Sequence, residues 1–369
     1  MASSTPQAPS TASNTLVRAF LDSGAPKGSV DYTTIVVLHG WGWHGGVFRK
    51  LIPLAAKSNA RVVLVNRRDY PGSEPYTPEE RAVFTRLAGA APSPEASAEA
   101  QAFFRDRVKE FYDFIVDFVR RENIPRPKGD TGGLIIAGWS LASTWLTTLL
   151  ANVGLFQEGD VQLSKYVRRV ILYDSSHWCY GYAPPPNSWQ PLYDDTLSEE
   201  ERVLRFGIYI TGYYAHGDVW ADGPSALEFR TPLDDPSPTG ARMTPEELAE
   251  TASAAVQGPG GSEGLLAQVM SIHGVIVASR QGALYPQEAI EGASNWEDVE
   301  VRHLWCDRSV WEMPWGTKKL MDEIEEAKKA GKRVRDVVFA RLKGANHFAH
   351  WDMPEKTLEA FLTSDTVIE

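Results

Sequence analysis

Apolar and polar positions along the chain fall into two alternating textures. Short, nearly unbroken apolar runs occur at Thr33 to Leu38 (TTIVVL), Val62 to Val65, Leu134 to Ala137, Val167 to Tyr173 (VRRVILY), Val299 to Trp305 (VEVRHLW) and Val334 to Leu342 (VRDVVFARL). Their length and β-branched content predict buried strands. Between them, apolar residues recur at helical spacing. Phe104, Val108, Phe111, Ile115, Phe118 and Val119 predict a long helix over residues 100–123, and Trp145, Leu149 and Val153, flanked by Leu146 and Leu150, predict a second. A charged amphipathic helix is expected over residues 317–330 and a short last one over 355–362. Strands that are apolar rather than alternating, separated by helices, imply a mostly parallel sheet covered on both faces.

The alternation stops between residues 178 and 298, a stretch rich in Trp, Tyr and Pro with a loop-like GPGGSEG at 258–264. Such an interruption is expected to sit over the carboxyl ends of the strands, where open α/β sheets bind ligands. The predicted organisation is an unordered tail over 1–29, a first core segment over 30–176, a cap or lid insertion over 177–298 and a second core segment over 299–369. Residues 86–98 are predicted to be a surface connection.

The candidate chemistry lies where the strands end. Leu134 to Ala137 runs into Gly138-Trp139-Ser140-Leu141-Ala142 and then directly into a helix. A serine at the tip of so tight a turn crowds the positions two before and two after it. Both must then be very small, as Gly138 and Ala142 are. The following helix also aims its free N–H groups toward the serine, which suits a developing oxyanion. After the first apolar strand comes His39-Gly40-Trp41-Gly42-Trp43-His44-Gly45-Gly46, whose glycines let backbone approach a ligand closely. The last two strands end near Asp307 and at Lys343-Gly344-Ala345-Asn346-His347. In a parallel sheet all carboxyl ends share one edge, so Ser140, Asp307 and His347 can converge there. A serine needs a base to become a nucleophile, and the base needs a carboxylate to hold its tautomer. Asp174, which also follows a strand, is the rival acid.

The whole-chain figures narrow the classes. Across 369 residues there are 37 basic and 48 acidic side chains, a net charge of −11, and no Lys/Arg stripe, which argues against nucleic acid as partner. Two cysteines make a disulfide-stapled fold unexpected, and no apolar run approaches the roughly 20 residues of a membrane span. The Ser/Thr/Ala/Pro-rich start lacks a basic segment followed by an apolar one, so a soluble cytoplasmic protein is expected. Neither HExxH nor a paired-cysteine motif nor a glycine-rich phosphate loop occurs, so no metal and no cofactor is expected. Nothing in the sequence specifies an oligomeric state.

The HGWG loop, the GWSLA turn, the aspartate after the penultimate strand and the GANH near the end occur in the order seen in the α/β-hydrolase superfamily, which the chain resembles over roughly residues 30 to 365. HGWG with GWSLA is similar to the pimeloyl-carrier-protein methyl esterases and their carboxylesterase relatives. VNRRDYPGS, GWSLAS, LYDSSH and GANHFAHWD resemble a group of fungal hydrolases with a large cap. The resemblance implies an α/β-hydrolase fold with a large cap insertion. It makes Ser140 the nucleophile, His347 the general base and acid, Asp307 its orienter, and the N–H groups of Trp41 and Leu141 the oxyanion hole. Trp139, Trp178 and Tyr182 are expected to line the substrate pocket. His39, His44, His177 and His216 are expected to be structural or surface residues, and His350 could serve only if the last loop were shifted. The implied activity is cofactor-independent hydrolysis of a small-molecule carboxylic ester, a methyl ester or lactone included. An acyltransferase or carbon-carbon hydrolase using the same residues, or a ligand-binding protein with a vestigial triad, are the competing expectations.

Overall fold

The computed structural model describes residues 16–258 and 260–369. Eight strands form one sheet: β1 (Arg18–Asp22), β2 (Thr33–Leu38), β3 (Ala60–Asn66), β4 (Leu134–Trp139), β5 (Val167–Tyr173), β6 (Glu300–Cys306), β7 (Val337–Leu342) and β8 (Val367–Ile368). Their spatial order is β1-β3-β2-β4-β5-β6-β7-β8, and only the β1–β3 pair is antiparallel. The parallel sheet covered on both faces is therefore as the apolar runs predict. Successive residues of a strand point to opposite faces. Val36, Leu38, Ile136, Val170 and Leu172 accordingly join one apolar core, and Ile35, Val37, Ile135, Ala137 and Ile171 join the other.

Helices α1 (Pro78–Gly89), α2 (Pro94–Glu122) and α3 (Ala142–Asn152) precede β5. Two departures from the sequence expectation fall here. Residues 86–98 are no extended surface connection, because α1 runs to Gly89 and α2 already starts at Pro94. The side chains of Thr77 and Ser93 cap these two helices, each with proline in the first turn. The second concerns the segment 1–29, expected to be an unordered tail. Residues 1–15 lie outside the described residues, but Arg18–Asp22 pairs with β3 as a half-buried edge strand.

Between β5 and β6 lie helices α4 (Glu199–Ile210), α5 (Ser262–Ile272) and α6 (Val275–Leu284), several shorter turns, and no strand among the described residues. The predicted GPGGSEG loop is shortened, since α5 begins at Ser262. Leu266, Val269 and Met270 of α5 pack with Phe84 and Leu87 of α1 and with Leu141 beside the β4 turn. This packing holds the insertion over the carboxyl edge of the sheet. Helices α7 (Glu312–Lys329) and α8 (Pro354–Leu362) complete the chain. No single helix among the described residues is long and apolar enough to cross a membrane.

Candidate active site

The β4–α3 turn has the tight geometry that its small residues require. Ser140 adopts φ 56°, a left-handed conformation uncommon for a residue other than glycine, and its N–H donates to the Tyr173 carbonyl at 2.9 Å. A Cβ on Gly138 would lie 2.8 Å from the Ala142 carbonyl oxygen and 2.8 Å from Leu146 Cδ1, so glycine is obligatory there. The HGWG loop lies directly against this turn: a Cβ on Gly40 would meet Trp139 Cε3 at 2.9 Å and Ser140 Cβ at 3.0 Å. Among the described residues the backbone N–H groups of Trp41 and Leu141 have no protein acceptor.

Buried side chains fix the direction of that loop. His39 Nδ1 donates to the Gly40 carbonyl at 2.9 Å, while its Nε2 accepts from the Arg67 backbone N–H at 3.2 Å. Burial first, and then the Arg67 charge, hold this imidazole well below its ordinary pKa, so it is neutral and structural. Arg67 Nη2 donates to the same Gly40 carbonyl at 2.9 Å and pairs with Glu263 of α5 at 2.8 Å. Because a trans peptide is planar with its C=O and N–H opposed, drawing the Gly40 oxygen toward Arg67 and His39 turns the Trp41 N–H the other way. On the far side of Trp41, the Gly42 N–H donates to the Tyr70 hydroxyl at 3.1 Å. The segment 66–73, in which the sequence suggests no chemistry, thus holds both peptides around Trp41.

His347 is 2% exposed, and its Nδ1 is 2.7 Å from Asp174 Oδ2. Its carbonyl accepts from Trp139 Nε1 at 3.0 Å, and the two rings lie 4.7 Å apart. The preceding Asn346 is anchored to the insertion through Thr211 O at 2.7 Å and Thr239 Oγ1 at 2.8 Å. Asp174 is fully buried and accepts further bonds from Cys306 N–H at 2.8 Å and Ser309 Oγ at 2.6 Å.

This pairing corrects the expected acid. Asp307 does not reach His347; its carboxylate accepts from the Gly344 N–H at 2.7 Å and from Arg341 Nε and Nη2 at 3.0 and 2.5 Å. The physical reason lies in the turn after β6. Cys306 and Ser309 turn their donors back onto Asp174, so the segment carrying Asp307 supports the acid on the neighbouring strand and leaves Asp307 facing a separate cavity with Trp305 and Arg341.

Ser140 and His347 line one cavity of about 330 Å³, within the range of small-molecule sites, and no hydrogen bond joins them in this structure. Trp139 and Trp178 line it as expected. Tyr182 does not. Its hydroxyl donates to Glu323 and its ring lies under the Arg280 guanidinium at 4.4 Å, so the two charged groups turn it away from the site. His350 is buried with its Nδ1 3.4 Å from the Tyr173 hydroxyl and lies outside the cavity wall. His44 caps the helical segment Gly45–Ser58, and His216 is bonded through both ring nitrogens to backbone.

Glu312, in the first turn of α7, is a wall residue that the sequence did not suggest. It is 7% exposed, and Gln190 Nε2 donates to its Oε1 at 2.8 Å. Burial pushes its carboxyl up to about 7. The folded chain therefore holds this proton more tightly than the unfolded chain does, and stability falls as pH rises from about 4.5 through 7. Glu312→Gln is expected to match the parent chain near pH 4 and to exceed it by up to about 3 kcal/mol above pH 8. Urea unfolding at the two pH values checks this, and equal stabilities at pH 8 would contradict the buried, unpaired carboxylate.

A serine and a histidine–aspartate pair at the carboxyl edge of a doubly covered parallel sheet, roofed by an insertion between β5 and β6, define the class of protein. The chain belongs to the alpha/beta hydrolase family, whose model matches residues 35–360. Among solved structures it is similar to Cfl2 from Burkholderia cenocepacia (14% identity, 93% of this chain and 91% of that one, TM-score 0.48). It is also similar to a bromoperoxidase from Bacillus anthracis (12%, 92% and 93%, TM-score 0.44). A third such structure is the peroxisomal alpha-beta-hydrolase Lpx1 from Saccharomyces cerevisiae (12%, 91% and 78%, TM-score 0.42). No curated protein sequence matches the chain at a significant level.

Proposed function

We propose that the protein is a serine hydrolase of carboxylic esters, acting through an acyl-enzyme on Ser140. The observation that carries this reading is the 2.7 Å contact between His347 and the buried Asp174, on the cavity that the strained Ser140 also lines. Asp174 keeps the proton on His347 Nδ1 and leaves Nε2 free as base. With substrate bound, the Ser140 hydroxyl turns onto Nε2, since catalytic hydrogen bonds often form fully only in the Michaelis complex. Its oxygen attacks the ester carbonyl as the proton passes to His347. The Trp41 and Leu141 N–H groups receive the oxyanion. The imidazolium, steadied by Asp174, then protonates the departing alkoxide, and an alcohol leaves. Water gives a proton to the same nitrogen as it attacks the acyl-enzyme, and the imidazolium passes that proton to the departing Ser140 oxygen as the acid is released. The aromatic lining of the cavity, Trp41, Trp178 and Phe206 among it, supports a substrate with an apolar acyl or alcohol part.

An alkyl fluorophosphonate is expected to label the chain at Ser140, found by peptide mapping, and p-nitrophenyl esters of two to ten carbons to be turned over. Ser140→Ala should lose both. An unlabelled but folded parent chain, or full ester turnover in Ser140→Ala, would exclude the reading.

A further inference from the structure

The wall of the cavity that holds Ser140 and His347 also holds a buried acid with no countercharge. Among the described residues Glu312 enters no ion pair, and Gln190 Nε2 is the one side-chain group that donates to it. The acceptor of that amide is unused: Gln190 Oε1 is buried without a hydrogen-bond partner. Carboxylates this deep in a protein are ordinarily paired, because desolvating an isolated one is costly. The other buried glutamate described above, Glu263, obeys that rule through Arg67 at 2.8 Å. Around Glu312 the surroundings are aromatic. Trp178 and Tyr193 line the catalytic cavity with it, and both also border a second cavity of about 310 Å³ beside it, together with Trp189 and Trp311.

An unpaired carboxylate among indole and phenol rings is a combination that favours a cation, which can take the charge and lie against ring faces at once. A hydroxyl on the substrate could accept or donate one bond, but it would leave the charge uncompensated. We infer that the substrate carries a cationic nitrogen, and that Glu312, with Gln190 beside it, binds that group while Ser140 attacks the ester carbonyl. The inference rests on the ester hydrolase reading for its second half only, since recognition of the cation requires no turnover. The raised carboxyl fits it, because a cation beside Glu312 would bring that value back down. The net charge of −11 draws such a substrate toward the protein.

The test uses two p-nitrophenyl esters of equal acyl length, one ending in trimethylammonium and the other in the isosteric tert-butyl group, with a terminal hydroxyl ester as third member. At pH 8 the full chain is expected to show kcat/KM at least tenfold higher for the cationic ester than for the tert-butyl one, and that ratio is expected to collapse to one or below in Glu312→Gln. A parent chain that prefers the tert-butyl or the hydroxyl ester, or a ratio that Glu312→Gln leaves intact, overturns the inference. Binding separates this result from failure of the hydrolase reading. In Ser140→Ala, butyltrimethylammonium followed by isothermal titration calorimetry is expected to bind at least tenfold more tightly than in Ser140→Ala/Glu312→Gln. If that difference holds without any ester turnover, the cation site stands and the hydrolase reading falls. If the two variants bind the ion equally, the cation site falls whatever the esters do.

Discussion

Asp174→Asn is expected to lower kcat for ester hydrolysis by about 10⁴, a loss that Asp307→Asn does not share. An amide at position 174 can turn its N–H₂ toward His347 Nδ1, which then becomes an acceptor with the proton on Nε2. That tautomer cannot take the Ser140 proton, even where the geometry is otherwise kept. Ser140→Ala sets the scale, with an expected loss of about 10⁶. Asp307→Asn weakens the contact to Arg341 and the Gly344 N–H, and Asp307 borders a cavity other than the one that Ser140 and His347 line. Its kcat is expected to stay within a few-fold of the parent value. Steady-state kinetics with one p-nitrophenyl ester, beside circular dichroism of each variant, decides the matter. Equal losses in the two variants, or a larger one in Asp307→Asn, would return the acid to the turn after β6.

That experiment bears on what could be read along the chain. The doubly covered sheet was legible because parallel strands buried on both faces are mostly apolar without alternation, and β2 to β6 mostly are. The turn at Ser140 was legible because it is a steric problem with a local answer, and Gly138 and Ala142 are that answer. The acid was not, because Asp174 and Asp307 follow adjacent strands of the same sheet and differ in nothing local. What separates them is the path of residues 306–309, which sends Cys306 N–H and Ser309 Oγ toward Asp174, and the position of Arg341 one strand further along. Tyr182 failed for a similar reason, since Arg280 and Glu323, each about a hundred or more residues away, decide which way its ring faces. Glu312 reads as an ordinary polar residue opening a charged helix. Its burial comes from Gln190 and the insertion, and no periodicity in its own helix reports that. The signal available for Arg67 was weaker still, a charged pair, Arg67-Arg68, one residue beyond the apolar run Val62 to Val65, where a charge that close to the core calls for a partner.

Arg67→Met tests whether that partner matters. The change leaves Glu263, which is 4% exposed and whose carboxyl burial already pushes upward, without its cation. Removing one member of a buried pair typically costs about 3–5 kcal/mol, and a loss of that order in urea unfolding is expected. Arg67→Met/Glu263→Gln is expected to recover most of it, because neither charge is then left alone in the interior. Activity should not recover in parallel. The double variant still lacks the Nη2 donor to the Gly40 carbonyl, so the peptide that carries the Trp41 N–H is held by His39 alone. Losing an oxyanion donor outright costs about 10² to 10³ in rate, and a donor that is loosened should cost less. The expected pattern is therefore near-parental stability with kcat reduced by up to about 10² and KM little changed. If kcat returns together with stability, the pair serves to seat α5 on the sheet and has no part in aiming the Trp41 N–H.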